Sequence, residues 1–198
     1  MTMPNTDLTE KIALITGCAG LLGPVHADAL LRCGATVVVT DVDEEKGLQT
    51  ANGLADQYGA DRVMNLRMDV SDHAAVEGVR QQVLDIRGKI DVLINNAAIR
   101  PSSPFLEMDE DEWNRVLAVG MQAAFWLSRA ALPGMIERGW GRILNFAGMN
   151  AIHGYNGRAH VSVAKHGVWG LTKALAKEFG PQGTVSYTHL TLPPILLV

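Results

Sequence analysis

Apolar residues fall along this chain in two alternating rhythms. Short continuous runs at 11–16 (KIALIT), 35–40 (ATVVVT) and 90–94 (IDVLI) are bounded by glycine or polar residues, and they read as strands buried on both faces. A weaker run at 63–68 and another at 143–146 read the same way. Between them the apolar positions take up helical spacing. After the first strand Ala27, Leu30 and Leu31 share one stripe, with Pro24 in the first turn, where a missing N–H costs nothing. Residues 44–57, 74–86 and 161–179 read as further helices. A long stripe of Trp113, Val116, Leu117, Gly120, Ala124, Leu127 and Ala131 predicts a helix over 109–137. Strand and helix alternate with no linker or repeat, which implies right-handed crossovers and one doubly wound parallel α/β sheet in three layers.

The first strand runs into Thr16-Gly17-Cys18-Ala19-Gly20-Leu21-Leu22-Gly23 and then a helix. Glycines at such a junction allow a tight turn, a close approach of backbone to a pyrophosphate, and close packing of helix on strand. The helix N-terminus adds free N–H groups and positive dipole for the phosphates. Gly17, Ala19, Gly20, Leu22 and Gly23 are therefore the expected phosphate cradle. Asp41 ends the second strand, roughly 20 residues past Gly20, where an acid bonds the adenosine ribose hydroxyls and repels a 2′-phosphate. NAD is thus expected over NADP. The alternative is that Asp41 merely caps the next helix.

Three more segments join the glycine loop: Met68-Asp69-Val70 after the third strand, Asn95-Asn96-Ala97-Ala98 after the fourth, and the surroundings of Lys165. Together, in this order and spacing, they resemble the short-chain dehydrogenase/reductase family over residues 8 to 183. The resemblance implies a Rossmann-type sheet, here incomplete at its C-terminal edge. It implies that Asp69 and Val70 meet the adenine, and that Asn96, Ala97 and Ala98 lie along the cofactor. Lys165 would hold the nicotinamide ribose. Leu21 stands where the family's commonest loop has glycine, and the glycine spacing is closer to that of the extended branch.

The family's reaction moves a hydride between nicotinamide C4 and a carbonyl or alcohol carbon. A Tyr supplies the proton, its acidity raised by a Lys one helical turn later. A Ser polarises the substrate oxygen and an Asn supports a water relay. In this chain the corresponding positions hold Val161, Gly148 and Gly120. Tyr155, in the loop after the fifth strand, is the expected replacement acid beside Lys165. His160 is a second candidate, although it lies roughly 140° around the helix from Lys165. Ser162 is nearer the Lys165 face but is expected to bond its own backbone. The family's two long helices pair across a two-fold, and Trp113, Phe125, Trp126 and Trp169 suit either that contact or core packing.

Composition narrows the function further. A charge of −4 with scattered Lys and Arg argues against a nucleic-acid or anionic-membrane partner. Cys18 and Cys33 have no metal-ligand spacing and read as reduced thiols, and no metal site is expected. No signal peptide or apolar run of membrane length is read, so a cytoplasmic protein is expected. Residues 185–193 resemble the translated read-through of a sequencing-library adapter. Residues 1–183 are therefore expected to form the domain and 184–198 an artefactual tail. The alternative is a short tail whose Thr, Val and Tyr content adds an edge strand. The function expected is an NAD-dependent oxidoreductase acting on a hydroxyl or ketone of a small-molecule substrate, with non-standard catalytic residues and a homo-oligomeric state. The alternative is a non-catalytic NAD-binding protein. A sugar-nucleotide epimerase or dehydratase also needs a Tyr before the Lys, so Val161 counts against it equally.

Overall fold

The computed structural model describes residues 7–189. Six strands, β1 (Ile12–Thr16), β2 (Thr36–Asp41), β3 (Val63–Arg67), β4 (Val92–Asn95), β5 (Gly141–Phe146) and β6 (Thr184–His189), form one parallel sheet in the order β3-β2-β1-β4-β5-β6. The helices are α1 (Gly23–Arg32), α2 (Glu44–Tyr58), α3 (His73–Arg87), α4 (Glu110–Leu117), α5 (Ala123–Glu137) and α6 (Ala159–Phe179).

The strand alternation explains the layers. Ala13, Ile15, Val37 and Val39 point to one face, where Ala27 and Leu31 of α1 and Ala51 and Leu54 of α2 cover them. Ile12, Leu14, Val38 and Leu93 point to the other, against Val76, Val79 and Val83 of α3 and Leu127, Ala131 and Met135 of α5. Both faces are dry, so these strands appear in sequence as continuous apolar runs.

Three readings change. The expected single helix over 109–137 is continuous, but Ala118–Gln122 forms a π-turn between α4 and α5. The combined helix Glu110–Glu137 is also long and apolar enough to cross a membrane by length and composition, contrary to the expectation. Its residues Val116, Ala124, Leu127 and Ala131 instead pack inside this domain. Finally, Thr184–His189 is not outside the fold: it pairs in parallel with β5 as the edge strand. The free edge of β5 accepts any extended segment with β-propensity. The fit is imperfect, because Thr184 and Ser186 bury hydroxyls that have no hydrogen-bond partner among the described residues. The remainder of the tail, 190–198, lies outside the described residues.

Candidate functional site: a groove at the strand ends

The sheet order reverses between β1 and β4, and there the C-terminal ends of the strands leave a crevice. A groove of about 510 Å³ occupies it. Thr16 hands the chain to Gly17, whose φ of +59° lies in the left-handed region that glycine tolerates. A Cβ on Gly17 would stand 2.8 Å from Ala97 Cα, so the loop passes directly against the turn after β4. A Cβ on Gly23 would stand 2.3 Å from the Cys18 carbonyl oxygen, so α1 starts in contact with the loop. Ala19, Gly20 and Leu22 line the groove between them.

Hydrogen bonds lock this loop to its neighbours. Asp41 Oδ2 accepts from the Ala19 N–H at 2.9 Å and Oδ1 from the Asp43 N–H at 3.1 Å. Asp41 does not cap α2, because Asp43 does, accepting from Lys46 N–H at 3.1 Å. Asp41 is thus left facing the groove, one oxygen tied to the loop and each with lone pairs to spare. The Asn96 and Ala97 N–H groups donate to Thr16 Oγ1 at 3.1 and 3.0 Å. Asn96 Nδ2 donates to the Thr16 and Gly17 carbonyls at 3.1 and 2.8 Å. Asp69 Oδ1 accepts from Ser71 N–H and Oγ, at 2.9 and 2.6 Å, and these bonds hold its carboxyl below the usual range. Val70 is buried beside it, and Ala98 lines the opposite rim. The groove therefore brings together Gly17, Ala19, Gly20, Leu22, Asp41, Asp69, Val70, Asn96, Ala97 and Ala98, with Gly23 directly behind the loop. Cys18, buried under the loop, has its thiol pushed up to about 12 by burial and by the Asp41 charge, so it is inert at neutral pH.

The inner end is different. Lys165 on α6 reaches toward β5 and donates to the Phe146 carbonyl at 2.5 Å. Burial, and then the charge of Arg100, pushes its amine down to about 8. It lines a cavity of about 10 Å³ shared with Asn95 and Gly120, room for about one water. Ala97 and Val119 border both cavity and groove. Asn95 Nδ2 donates to Asn145 Oδ1 at 2.8 Å, and Asn145 passes the bond to Thr172 at 2.9 Å, bracing β4, β5 and α6. Asn95 Oδ1 is buried without a partner among the described residues.

The three replaced positions are built into the packing. Val161 is 2% exposed and packs with Val116, Ala164 and Leu117. A Cβ on Gly120 would meet Ala164 Cβ at 3.1 Å, so the π-turn and α6 approach through the missing side chain. Gly148 has φ +69° and ψ −176°, a conformation nearly exclusive to glycine. Neither expected acid is placed at the cavity. His160 is fully buried, with Nδ1 accepting from the Val161 N–H at 2.9 Å and Nε2 3.1 Å from Glu112 Oε1, which also accepts from Ser103 at 2.6 Å. Both ring nitrogens are occupied. Tyr155 is 46% exposed on the loop before α6 and lines neither groove nor cavity. Ser162 does not bond its backbone as expected: its hydroxyl is buried without a partner among the described residues. Sequence reading missed Thr16 Oγ1, the acceptor that joins the loop to the 95–98 turn, and Arg100.

The large apolar residues of the long helices divide. Phe125 lines a hollow of about 360 Å³ between α5 and α6 with Leu132, Leu171 and Phe179. Trp126 turns instead toward α3, its ring 5.2 Å from that of His73, and the Trp169 ring carries Lys173 Nζ at 4.1 Å. Trp113 lines a separate hollow with Phe105 and Met108.

The sequence profile of the short chain dehydrogenase family matches residues 11–195. Nodulation protein G of Azospirillum brasilense is 34% identical over 176 residues, covering 89% of this chain and 71% of that protein. Trans-4-hydroxycyclohexanecarboxylate dehydrogenase of Sinomonas cyclohexanicum is 33% identical over 185 residues, covering 91% and 71%. The crystal structure of a gluconate 5-dehydrogenase from Burkholderia cenocepacia, in complex with NADP and tartrate, superposes with a TM-score of 0.86 at 28% identity, covering 93% of this chain and 71% of that one.

Proposed function

The chain belongs to the short chain dehydrogenase family, and on that footing we propose that its groove binds NAD as the cofactor of an oxidoreductase acting on a hydroxyl or ketone of a small molecule. What supports this most is the placement of Asp41. It stands free of the helix cap, tied to the glycine loop and facing the groove. NAD, when bound, would supply a hydride acceptor. Gly17, Ala19, Gly20, Leu22 and Gly23 would hold its pyrophosphate, Asp41, Asp69 and Val70 its adenosine, and Asn96, Ala97, Ala98 and Lys165 its nicotinamide half. The Asp41 carboxylate disfavours a 2′-phosphate, and the next residue is Val42 rather than a cation. The gluconate 5-dehydrogenase structure holds NADP, so cofactor choice is the test. Titrated by tryptophan fluorescence, NAD is expected to bind at least about tenfold tighter than NADP, with Asp41→Ala closing the gap. Equal affinities in the unaltered protein would overturn the preference.

Lys165 is the one ionisable side chain lining the small inner cavity among the described residues. With its amine near 8 it exchanges protons in the working range, directly or through water in the adjoining cavity. Tyr155 would serve as acid only if its loop carried it inward.

A second reading is NAD binding without turnover. The packing of Val161, the Gly120–Ala164 approach and the Gly148 backbone favour it, since each position is accommodated by its surroundings. Substrate-dependent NADH oxidation at saturating cofactor would exclude it. In either reading the α5–α6 hollow is the expected contact of a homodimer, with Phe125 half exposed in the monomer.

A further inference from the structure

A run of side-chain hydrogen bonds leads from α6 to the inner cavity, and its direction is fixed at the far end. Thr172 Oγ1 donates to the Val168 carbonyl at 2.8 Å, and a carbonyl can only accept. The Thr172 oxygen is thereby left to accept from Asn145 Nδ2 at 2.9 Å. Asn145 Oδ1 is in turn the acceptor for Asn95 Nδ2 at 2.8 Å. Each amide is oriented by the one behind it. The run ends on Asn95 Oδ1, an acceptor that is buried and has no partner among the described residues.

Asn95 lines the cavity of about 10 Å³ together with Lys165. The Lys165 ammonium has N–H donors to spare, since its one hydrogen bond among the described residues goes to the Phe146 carbonyl. No carboxylate pairs with it there. Thr16 is the other polar side chain on the wall, and it is already committed. Its Oγ1 accepts from the Asn96 and Ala97 N–H groups and donates to the Ile94 carbonyl. Lys165 is the only ionisable residue lining the cavity, and the outside charge that reaches it is that of Arg100. A space of this size holds about one water, which needs at least two polar partners to stay. Asn95 and Lys165 are those partners, one an acceptor and one a donor.

We infer that the inner cavity is a site for a single water molecule held between Asn95 Oδ1 and Lys165 Nζ, and that this water exchanges protons with the Lys165 amine. Its catalytic meaning rests on the oxidoreductase reading above; the water site itself does not. Gly120, on the same wall, has no amide to offer, and Asn95 supplies the acceptor from β4 instead. For each carbonyl reduced, the ammonium gives one proton to the substrate oxygen and regains one from the water. The water takes its own from solvent past Ala97 and Val119, which border both cavity and groove. One solvent proton is consumed and no charge stays behind. Asn95 is a positioning residue: it holds the water and transfers nothing itself.

The test labels the full chain with ¹³C at the lysine Cε and alanine methyl carbons and needs no cofactor. Water is expected to show a nuclear Overhauser effect to the Ala124 methyl, which is buried on the cavity wall. The pH midpoint of the Lys165 Cε signal, assigned with Lys165→Met, is followed in parallel. Asn95→Leu removes the acceptor and fills its space, so the water signal should vanish. The midpoint should then fall by about one pH unit, because the ammonium loses an acceptor. Asn95→Ala breaks the same bond to Asn145 but leaves room for water. The signal should persist, with the midpoint within about 0.3 pH units of the unaltered protein. The inference is overturned if the unaltered protein shows no water signal at Ala124, or if the two variants move the midpoint alike, as a purely bracing Asn95 requires. Where NADH oxidation is found, Asn95→Leu is expected to slow it by about tenfold or more. An unchanged rate would overturn the proton step. A water signal without any NADH oxidation would sink the oxidoreductase reading and leave the water site standing.

Discussion

The two ends of the groove are held to different standards. At the glycine-loop end nearly every polar group has a fixed partner. Thr16, Asn96 and Asp41 knit the glycine loop, the 95–98 turn and the end of β2 into one unit, and Ser71 fixes Asp69 within the loop after β3. At the inner end the groups that would do chemistry are replaced by a methyl-rich contact and two glycines, and one buried amide oxygen has no partner. The difference shows that a cofactor cradle is a property of backbone course and small residues, whereas catalysis is a property of a few side chains. One can persist while the other is rebuilt.

The largest expected effect breaks the first end. In Gly23→Ala the new methyl would fall 2.3 Å from the Cys18 carbonyl, against backbone that cannot swing away. We expect NAD affinity to drop by more than about a hundredfold and stability by about 3 kcal/mol, the upper range for overpacking. Fluorescence titration and thermal unfolding read the two separately. Wild-type NAD affinity in this variant would show that the cradle does not depend on the contact between α1 and its loop.

The inner end is tested by restoring what it lacks. Val161→Tyr places a phenol in a site now 2% exposed and closed by Val116 and Ala164. The expected cost is about 2 kcal/mol in urea unfolding, with no gain of turnover, because Gly120 and Gly148 remain. A rise in NADH oxidation of a hundredfold or more from this one change would show that the site is a single residue away from the ordinary chemistry.

Lys165 ties the comparison to pH. Its amine falls from 10.5 in the unfolded chain to about 8 when folded. Below pH 8 both states are charged and the folded state carries the full burial penalty. Between about 8 and 10.5 only the unfolded state stays protonated, so stability rises with pH through that window. Lys165→Met is expected to be more stable than the parent at pH 7 by about 1 kcal/mol. Partial exposure keeps this below the roughly 3 kcal/mol of an unscreened shift. The advantage should fade by pH 10, as read by calorimetry across the range. An advantage independent of pH would mean that packing, not charge, sets it.

How much of this was visible in the sequence follows from the same physics. Strands buried on both faces are unbroken apolar runs, so β1, β2 and β4 could be placed to within a residue or two. The glycine loop was legible because glycine spacing, a strand before it and a helix after it constrain one another. The π-turn was not, because the apolar stripe runs through it unbroken; the close approach of Gly120 to Ala164 shows itself only in the packed structure. β6 was legible only as the alternative to an artefactual tail, because Thr184 and Ser186 stand where a buried strand ordinarily shows aliphatic residues. Arg100 has no periodicity to reveal it, since a single loop charge acquires meaning only from the neighbours that folding supplies.

The smallest expected effect concerns Tyr155, the acid that a reading of residue types alone would choose. The residue is 46% exposed, its side chain makes no hydrogen bond among the described residues, and it borders neither groove nor cavity. A general acid must come within hydrogen-bond reach of the reacting oxygen, and its removal then costs about 10²–10⁴ in rate. An exposed loop side chain that does neither costs almost nothing. Tyr155→Phe is therefore expected to change turnover, wherever turnover is found, by less than about twofold. The Lys165→Met rate, measured beside it, gives the scale. A loss above a hundredfold in Tyr155→Phe would mean that the 152–157 loop folds over the groove when substrate binds. The inner end would then hold an acid after all, and the contrast between the two ends would belong to the ligand-free protein alone.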